Sequence, residues 1–242
     1  MNPFYFMLVP ALVALGGGIL ALIWHPSREM RSLIQHFAAG VVLAALAVEL
    51  FPELSREHAP GRVLLSSFAA GTLLMYLLKL WATHQEAKSH ALAQSHPNEP
   101  AIDSGLIAAT FIDIAVDGFI IGAGFAAGGE TGPILAIGLS VELLFLGLSL
   151  TSDYLKGWRI VAISAALGAT VLVFAYLGNW LLAGASTVVI AAALAASAAA
   201  LLYLVTEELL IEAHEVEEKP FYMLVLFAGF LLFWAIQLLG VH

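Results

Sequence analysis

Long apolar runs fill most of this chain and constrain its fold more than any other feature. A helix needs about 20 mostly apolar residues to cross a bilayer, whose hydrocarbon core is about 30 Å thick. Eight runs reach or approach that length: Phe4–Trp24, Leu33–Leu54, Val63–Trp81, Gly105–Gly128, Pro133–Thr151, Ile160–Trp180, Thr187–Leu210 and Pro220–Leu239. The chain is 61% hydrophobic and only 11% charged, whereas soluble domains are about 45–50% apolar and about 25% charged. We therefore predict an all-α integral membrane protein with eight transmembrane helices in one domain, residues 1–242.

Turn-forming residues separate the runs. They include HPSREM after Trp24, REHAPGR before Val63, GGETGP between the fourth and fifth runs, and a Gly178-Asn179 turn after the sixth. The longest connection is predicted at residues 83–102. This divides the domain into helices one to three within residues 1–82, helices four and five within 103–152, and helices six to eight within 153–242.

Basic residues predict the orientation of the chain. Seven of the nine Lys and Arg residues lie at or in odd-numbered connections, and only Arg56 and Arg62 lie in an even one. Because cytoplasmic loops carry an excess of Lys and Arg, this asymmetry places the odd connections in the cytoplasm and both termini outside it.

The predicted cytoplasmic loop at residues 83–102 carries three histidines: His84, His90 and His96. Their spacing of six residues is not a helical ligand spacing. The segment is predicted to be a flexible solvated linker, with weak and mobile metal capture as the alternative.

Acidic residues deep in apolar runs are the strongest indication of function. In the fourth run, TFIDIAVDGFIIGAG, Asp113 and Asp117 are four residues apart and so share one helix face. A carboxylate at the centre of a membrane helix costs about 2.5–3.5 kcal/mol on insertion scales, so two on one face are expected to have a use. Further acids are Glu142 in the fifth run and Glu207 and Glu208 in the seventh.

These carboxylates predict a cation or proton site within the bundle. No Lys or Arg lies deep in the runs that carry them, and Lys79, close to a predicted helix end, is expected to extend its ammonium toward the interface. Carboxylates removed from water must take up a proton or hold a cation. The hydroxyls of Thr110, Ser140 and Thr206 could complete an all-oxygen site. Such ligands suit magnesium, calcium and manganese, and zinc also accepts carboxylates.

Each acid also has a structural explanation. Asp113, Asp117 and Glu142 could be hydrogen-bonded groups at close helix contacts. Adjacent helical residues point about 100° apart, so at most one of the Glu207–Glu208 pair is expected to join a cluster. Carboxylates at helix ends are often simply solvated, which applies to Glu49, Glu53, Glu208 and Glu212.

Two helix ends resemble each other and suggest an internal repeat. VELFPE ends the second run and EELLIE ends the seventh, so Glu49 and Glu53 correspond to Glu208 and Glu212. These helices would cross the membrane in opposite directions. An inverted repeat of helices one to three against six to eight would produce this pattern, and chance similarity between Leu/Glu-rich ends is the alternative.

These segments together resemble the ZIP (Zrt-, Irt-like) family of divalent metal transporters, especially its bacterial branch. The similarity is most specific in LLYLVTEELLIEAHE of the seventh run, and GVVLAALAVELFPE of the second run also has the family pattern. It implies eight helices in a 3+2+3 inverted-repeat bundle, both termini outside, and a variable, often His-bearing cytoplasmic third loop. It further implies a multi-pass protein of the bacterial inner membrane, a possible homodimer, and zinc, manganese or iron as the substrate.

The family motifs also imply site residues. The fourth helix of the bacterial branch carries His-Asn-x-Pro-Glu-Gly, which places Asp113 on its His and Asp117 on its bridging carboxylate. The fifth carries Gln-Asn/Asp-Ile-Pro-Glu-Gly, which places Glu142 on the ligand Glu. Glu207 would be a peripheral or entry-path group. Here Val116 and Val141 replace the motif prolines and the sixth helix has no acid, so the resemblance implies a single site from Asp113, Asp117 and Glu142.

Three functional hypotheses follow. The first is a transporter that moves a divalent cation into the cytoplasm by alternating access. The second is a protein of the same fold that has lost transport and senses an ion or binds a partner, and the third is a proton-coupled carrier of another solute. An enzyme is not expected, because no Ser-His pair, HExxH or phosphate-binding loop is present. Nucleic acid is not expected as a partner, because the chain has a net charge of −9.

Overall fold

Helices form all the regular structure in the residues described by the computed structural model, which are 3–24, 26–56, 59–95, 104–149, 157–213 and 220–240. We number them α1 (Pro3–Leu20), α2 (Arg28–Arg56), α3 (Gly61–Ser95), α4 (Ser104–Ala127), α5 (Thr131–Ser149), α6 (Trp158–Leu182), α7 (187–213) and α8 (Phe221–Gly240). These bounds agree closely with the eight apolar runs, except in α3.

The protein is a multi-span helical membrane protein. Within the described ranges, the seven helices α2 to α8 each contain a stretch long and apolar enough to cross a membrane. The apolar part of α1 found there, Tyr5–Leu20, is shorter. The count of eight spans and the position of the termini stay predictions.

The predicted loop at residues 83–102 is corrected by the structure over much of its length. Helix α3 continues without a break to Ser95, and residues 96–103 lie outside the described part. The extension, THQEAKSHALAQS, has no Gly or Pro, and eight of its thirteen residues are Ala, Gln, Glu, Lys or Leu, which favour helix even where the segment is polar. A polar composition was therefore misinterpreted as a loop.

The predicted Gly178-Asn179 turn is also corrected, because α6 passes through both residues to Leu182. Gly178 serves close packing instead: a Cβ at this position would lie 2.9 Å from the carbonyl oxygen of Phe119. The chain turns at Gly184, whose φ of 75° lies in the left-handed region that favours glycine.

Helices α2, α5 and α7 lie at the centre of the bundle. In each, 61% of an apolar 18-residue stretch is buried, whereas the figures for α3 and α8 are only 11% and 22%. Large apolar side chains on α3 and α8 are exposed where lipid would surround them, Leu73 and Leu224 among them. The acid-bearing helices are thus mostly central, as a site shielded from lipid requires.

The packing has approximate two-fold symmetry. Helix α4 packs against α6 as α5 packs against α1, and α2 packs against α8 as α7 packs against α3. The contacts of α2 with α5 likewise match those of α7 with α4. Exchanging α1 to α3 with α6 to α8, and α4 with α5, therefore maps most of the main packing contacts onto one another. The contact of α3 with α4 is the exception, since α8 makes no comparable contact with α5 among the described residues. A 3+2+3 repeat produces this pattern.

Glycines show the symmetry residue by residue. Gly122 of α4 lies against α6, and Gly147 of α5 lies against α1, each so close that an added Cβ would collide with the neighbouring backbone. The residues they meet have the same spacing along the chain: Ala175, Gly178 and Asn179 on α6, and Ala14, Gly17 and Gly18 on α1. Small residues at such contacts let membrane helices approach closely.

Helices α2 and α7 share a rarer feature, a short π-helical segment, which lies at Ala45–Leu50 in α2 and at Val205–Leu209 in α7. The interval between Glu49 and Glu208 is the same as that between Leu50 and Leu209, the last residues of the two π segments. Single π turns inside α-helices are rare and often lie at functional sites. The repeat suggested by VELFPE and EELLIE therefore coincides with a shared backbone irregularity.

Candidate functional site

Three carboxylates from two neighbouring helices form one cluster in the interior. Asp113 and Asp117 of α4 and Glu142 of α5 each place a carboxylate oxygen so that the three atoms all lie within 4.8 Å of one another. Asp117 is 1% exposed and Glu142 is 6% exposed. The sequence predicted that these three residues would meet, and the structure brings them together.

The two-fold symmetry explains why the cluster lies between α4 and α5. Asp117 precedes Gly122 by the same interval as Glu142 precedes Gly147, so the two carboxylates are symmetry equivalents and face each other near the axis. Asp113 has Gly138 as its equivalent on α5, and a Cβ there would lie 3.1 Å from the Phe233 ring. The third carboxylate therefore comes from α4 alone, and the site has no matching carboxylate on the α5 side.

Burial makes this cluster chemically demanding. Among the described residues, no hydrogen-bond partner reaches the buried Oδ1 atom of Asp117. A buried carboxylate oxygen without a donor is costly, and three carboxyl groups this close cannot all stay ionised without a counter-charge. The arrangement can bind a cation or exchange protons.

The spacing of the oxygens fits a single bound ion. Two ligands of one ion are at most two bond lengths apart, about 4.0–4.4 Å for zinc or magnesium and about 4.6–5.2 Å for calcium. Separations of up to 4.8 Å thus suit one ion, with a small contraction for the smaller metals. Carboxylate-only ligation favours hard cations and does not exclude zinc.

A cavity of about 210 Å³ leads to the cluster from one side of the bundle. We call this side the basic face: it is where α2, α4, α6 and α8 begin, and it carries Arg28, Arg31 and Arg159. Asp113 and Val116 of α4 line the inner part of the cavity. The cluster is therefore accessible from the face that the sequence predicts to be cytoplasmic.

The seventh-helix acids line this cavity and do not join the cluster. Glu207 is exposed to it, and Glu208, which is half-buried, accepts a hydrogen bond from the Nζ atom of Lys79 at 3.2 Å. Because α3 continues to Ser95, Lys79 lies in mid-helix and not close to a helix end, so that part of the prediction is corrected. Its ammonium forms an ion pair with Glu208 at the cavity wall.

The predicted hydroxyl groups have different surroundings. Thr110 lines the cavity one helical turn from Asp113. Ser140 is buried but donates to the carbonyl of Ala136 in its own helix at 2.5 Å, and Thr206 is exposed and donates to that of Leu202 at 2.9 Å. Of the three hydroxyls, Thr110 is the one that lines the cavity leading to the carboxylate cluster.

The helix-end acids differ from one another. Glu49 is 8% exposed and accepts a 2.7 Å hydrogen bond from Thr131 of α5, so the solvated interpretation is wrong for this residue. Glu53 is ion-paired with the exposed Arg56 at 3.3 Å. The side chain of Glu212 lies outside the described part of the structure.

The three histidines do not form a described site. His84 is exposed on α3, the side chain of His90 is not described, and His96 lies outside the described residues. Weak metal capture by these histidines therefore stays a prediction.

Sequence reasoning missed two polar residues beside Glu49, namely Thr131 and Gln237. The Nε2 atom of Gln237 donates to the carbonyl of Val48 at 3.2 Å. Pro52 has no N–H with which to bond that carbonyl across one turn of α2, so the amide of another helix satisfies it. Pro52 was the available signal: a proline within a membrane helix predicts that a carbonyl one turn earlier needs another donor.

A comparison of the sequence with models of protein families finds no match, and a comparison with curated proteins finds no significant match either.

Proposed function

We propose that this protein is a ZIP-like transporter that carries a divalent metal cation into the cytoplasm by alternating access through the Asp113–Asp117–Glu142 cluster. It works in the bacterial inner membrane, with eight spans and both termini outside. The proposal rests above all on one observation, that three carboxylate oxygens from two central helices lie within 4.8 Å of one another in a membrane bundle.

Energetics support a use for the cluster. Removing carboxylates from water costs several kcal/mol per ion in a low-dielectric interior. A divalent cation offsets this cost through direct ligation, whereas a purely structural role would be met more cheaply by apolar or amide side chains. Asp117 supports this reasoning most directly, because its Oδ1 atom lacks a hydrogen-bond partner among the described residues.

The cavity and the symmetry support alternating access. One face of the bundle is open as far as Asp113 and Val116. In a two-fold repeat, exchanging the conformations of the two halves opens the other face around the same central site. Helices α4 and α5 carry the whole cluster, so the α4–α5 pair is the element that gates against the rest.

Metal uptake into proteoliposomes tests the proposal directly. We would scan manganese, zinc, iron, cobalt, cadmium and magnesium with the wild type, with Asp117→Asn, and with Glu29→Gln as a control at an exposed acid. Flux of at least one ion is expected in the wild type and in Glu29→Gln. Asp117→Asn keeps the side-chain shape but removes one charge from the cluster, so its flux should fall at least about tenfold.

Two results would contradict transport. Absence of flux for every ion, in protein shown to be folded, would exclude the proposal. Metal-dependent thermal stabilisation without flux would instead support an ion-sensing protein of the same fold. Flux that persists in Asp117→Asn would remove the cluster from the path.

A further inference from the structure

The two faces of the bundle are closed to different extents. On the face opposite the basic face, a second cavity of about 140 Å³ is lined by Ile137 of α5 and by Gln237 of α8. Ile137 follows Ile112 by the interval that separates Glu142 from Asp117. Gln237 follows Lys79 by the interval that separates Gly229 of α8, which meets Phe37, from Gly71 of α3, which meets Ala196. Ile112 and Lys79, which line the cavity on the basic face, are therefore the symmetry equivalents of Ile137 and Gln237. The second cavity does not reach Val141, although its equivalent, Val116, lines the first.

Packing of the π segments matches this difference. The π segment of α2 packs directly against α5, whereas among the described residues the π segment of α7 makes no comparable contact with α4. The space between α7 and α4 is part of the open cavity, as its lining by Tyr203, Glu207 and Asp113 shows. The π segment of α2 is therefore packed against the α4–α5 pair, and among the described residues the π segment of α7 is packed against it less closely.

A buried hydrogen bond crosses the closed contact. Thr131, at the beginning of α5 and 2% exposed, donates from its Oγ1 atom to Oε1 of Glu49 at 2.7 Å. A bond to a buried acidic group in low dielectric is among the stronger hydrogen bonds. Gln237 of α8 also bonds the Glu49 side chain, but Thr131 is the donor that comes from the α4–α5 pair. It links α2 to the helix pair that carries the carboxylate cluster.

The basic face lacks this bond at the equivalent position. Symmetry takes Thr131 to Leu106 of α4, which has no hydroxyl, and takes Glu49 to Glu208. Glu208 is bonded to Lys79 of α3, outside the α4–α5 pair. The hydrogen bond between α2 and α5 on one face therefore has no counterpart at the equivalent pair of positions on the other face, because Leu106 offers no donor to Glu208.

We propose that the Thr131–Glu49 hydrogen bond is a latch that holds the opposite face closed, so that the resting protein exposes its carboxylate cluster to the basic face. Opening the opposite face requires that this bond break. The inference rests on the proposed function, because alternating access gives the latch its purpose, but the latch itself concerns access and not the identity of the cargo.

Cysteine accessibility tests the latch, since the chain contains no native cysteine. Val116→Cys reports access from the basic face and Val141→Cys, its symmetry equivalent, reports access from the opposite face. Each is placed in the otherwise wild-type chain and in the Thr131→Val chain. The rate of reaction with a hydrophilic maleimide is measured in detergent, where both faces meet the reagent.

In the wild-type background, Val116→Cys should react faster than Val141→Cys. Thr131→Val keeps the side-chain shape but removes the donor, so the rate at Val141→Cys should rise about fivefold or more. Thr131→Ser keeps a hydroxyl and should stay close to the wild-type rate. Thr170→Val removes a hydroxyl that bonds only within α6 on the exposed surface, and it should change neither rate.

A second variant guards against misfolding of Thr131→Val. Glu49→Met removes the acceptor and also a buried acid, so it should fold readily and produce the same rise at Val141→Cys. Unchanged labelling in both variants would overturn the latch. A shifted ratio together with absent metal flux would uphold the latch and overturn the transport proposal, so the two failures are distinguishable.

Discussion

At the scale of single residues, burying the Asp117 side chain costs free energy that its described contacts do not offset. It is buried between α4 and α5, close to two further carboxyl groups, and one of its oxygens has no hydrogen-bond partner in the described residues. Groups kept at a cost to stability are characteristic of functional sites. Asp117 is therefore expected to reduce the stability of the metal-free protein.

Replacing this buried and incompletely bonded carboxyl group should stabilise the metal-free protein. We expect Asp117→Asn to increase the free energy of unfolding by roughly 1–3 kcal/mol, the scale on which replacing buried charges changes stability. Thermal unfolding in detergent, without divalent ions, would show this as a higher midpoint. A lower unfolding midpoint would mean that Asp117 stabilises the metal-free fold and that this argument for its role as a metal ligand fails.

The same variant should lose its response to metal. A ligand at about one hundred times its Kd stabilises the folded state by about 2.7 kcal/mol. The wild-type midpoint should therefore rise on adding the transported ion, and the Asp117→Asn midpoint should rise much less. An equal rise in both proteins would place the bound ion elsewhere, with Glu29→Gln again the matched control.

At the scale of helices, the length of the apolar runs was enough to predict the positions of most helices. Runs of about 20 residues predicted α2 and α4 to α8 within a few residues, because bilayer thickness fixes their length. The continuation of α3 to Ser95 was missed, since outside the bilayer that constraint ends and only intrinsic propensity remains. The π segments were missed too, because the amino-acid composition of these two segments does not distinguish them from α-helix.

The close contact between α4 and α6 requires glycine at position 122, which can be tested by substitution. An added Cβ at Gly122 would lie 2.7 Å from the backbone nitrogen of Asn179 and 3.0 Å from the Cα of Gly178. We expect Gly122→Ala to destabilise the protein by about 1–3 kcal/mol, the usual cost of overpacking. Gly16→Ala on the exposed side of α1, where a Cβ meets nothing within 4 Å, should instead stabilise it by up to about 1 kcal/mol.

Thermal unfolding of the two alanine variants side by side measures this difference. Because both replace a helical glycine, the gain in helix propensity is common to both, and the remaining difference reports the packing between α4 and α6. Equal midpoints for the two variants would show that α4 and α6 do not approach as closely as the structure has them.

At the scale of the whole molecule, six residues at each of two helix ends were enough to suggest a repeat, and the packing has that symmetry. The partners of the acids could not be predicted in the same way. Lys79 meets Glu208 from 129 positions away, and Thr131 meets Glu49 from 82. Sequence periodicity describes the face of one helix, whereas such contacts depend on how two helices are rotated against each other.

The number of spans and the orientation of the faces can be tested together by labelling. Ala87 on α3 and Ala183 after α6 are both exposed, on the basic face and the opposite face respectively. With no native cysteine, Ala183→Cys should react with an impermeant maleimide in intact cells, and Ala87→Cys only after permeabilisation. This follows from the excess of Lys and Arg at the basic face, which places that face in the cytoplasm.

A third cysteine tests α1, whose described apolar part is the shortest. If α1 crosses the bilayer, Asn2→Cys should react in intact cells like Ala183→Cys, since both positions then lie outside. Labelling of Asn2→Cys only after permeabilisation would reduce the protein to seven spans and leave α1 without its role as the partner of α6 in the repeat. The reverse pattern at all three positions would keep eight spans but turn the cavity toward the outside, so that the open face would take up cations and not release them.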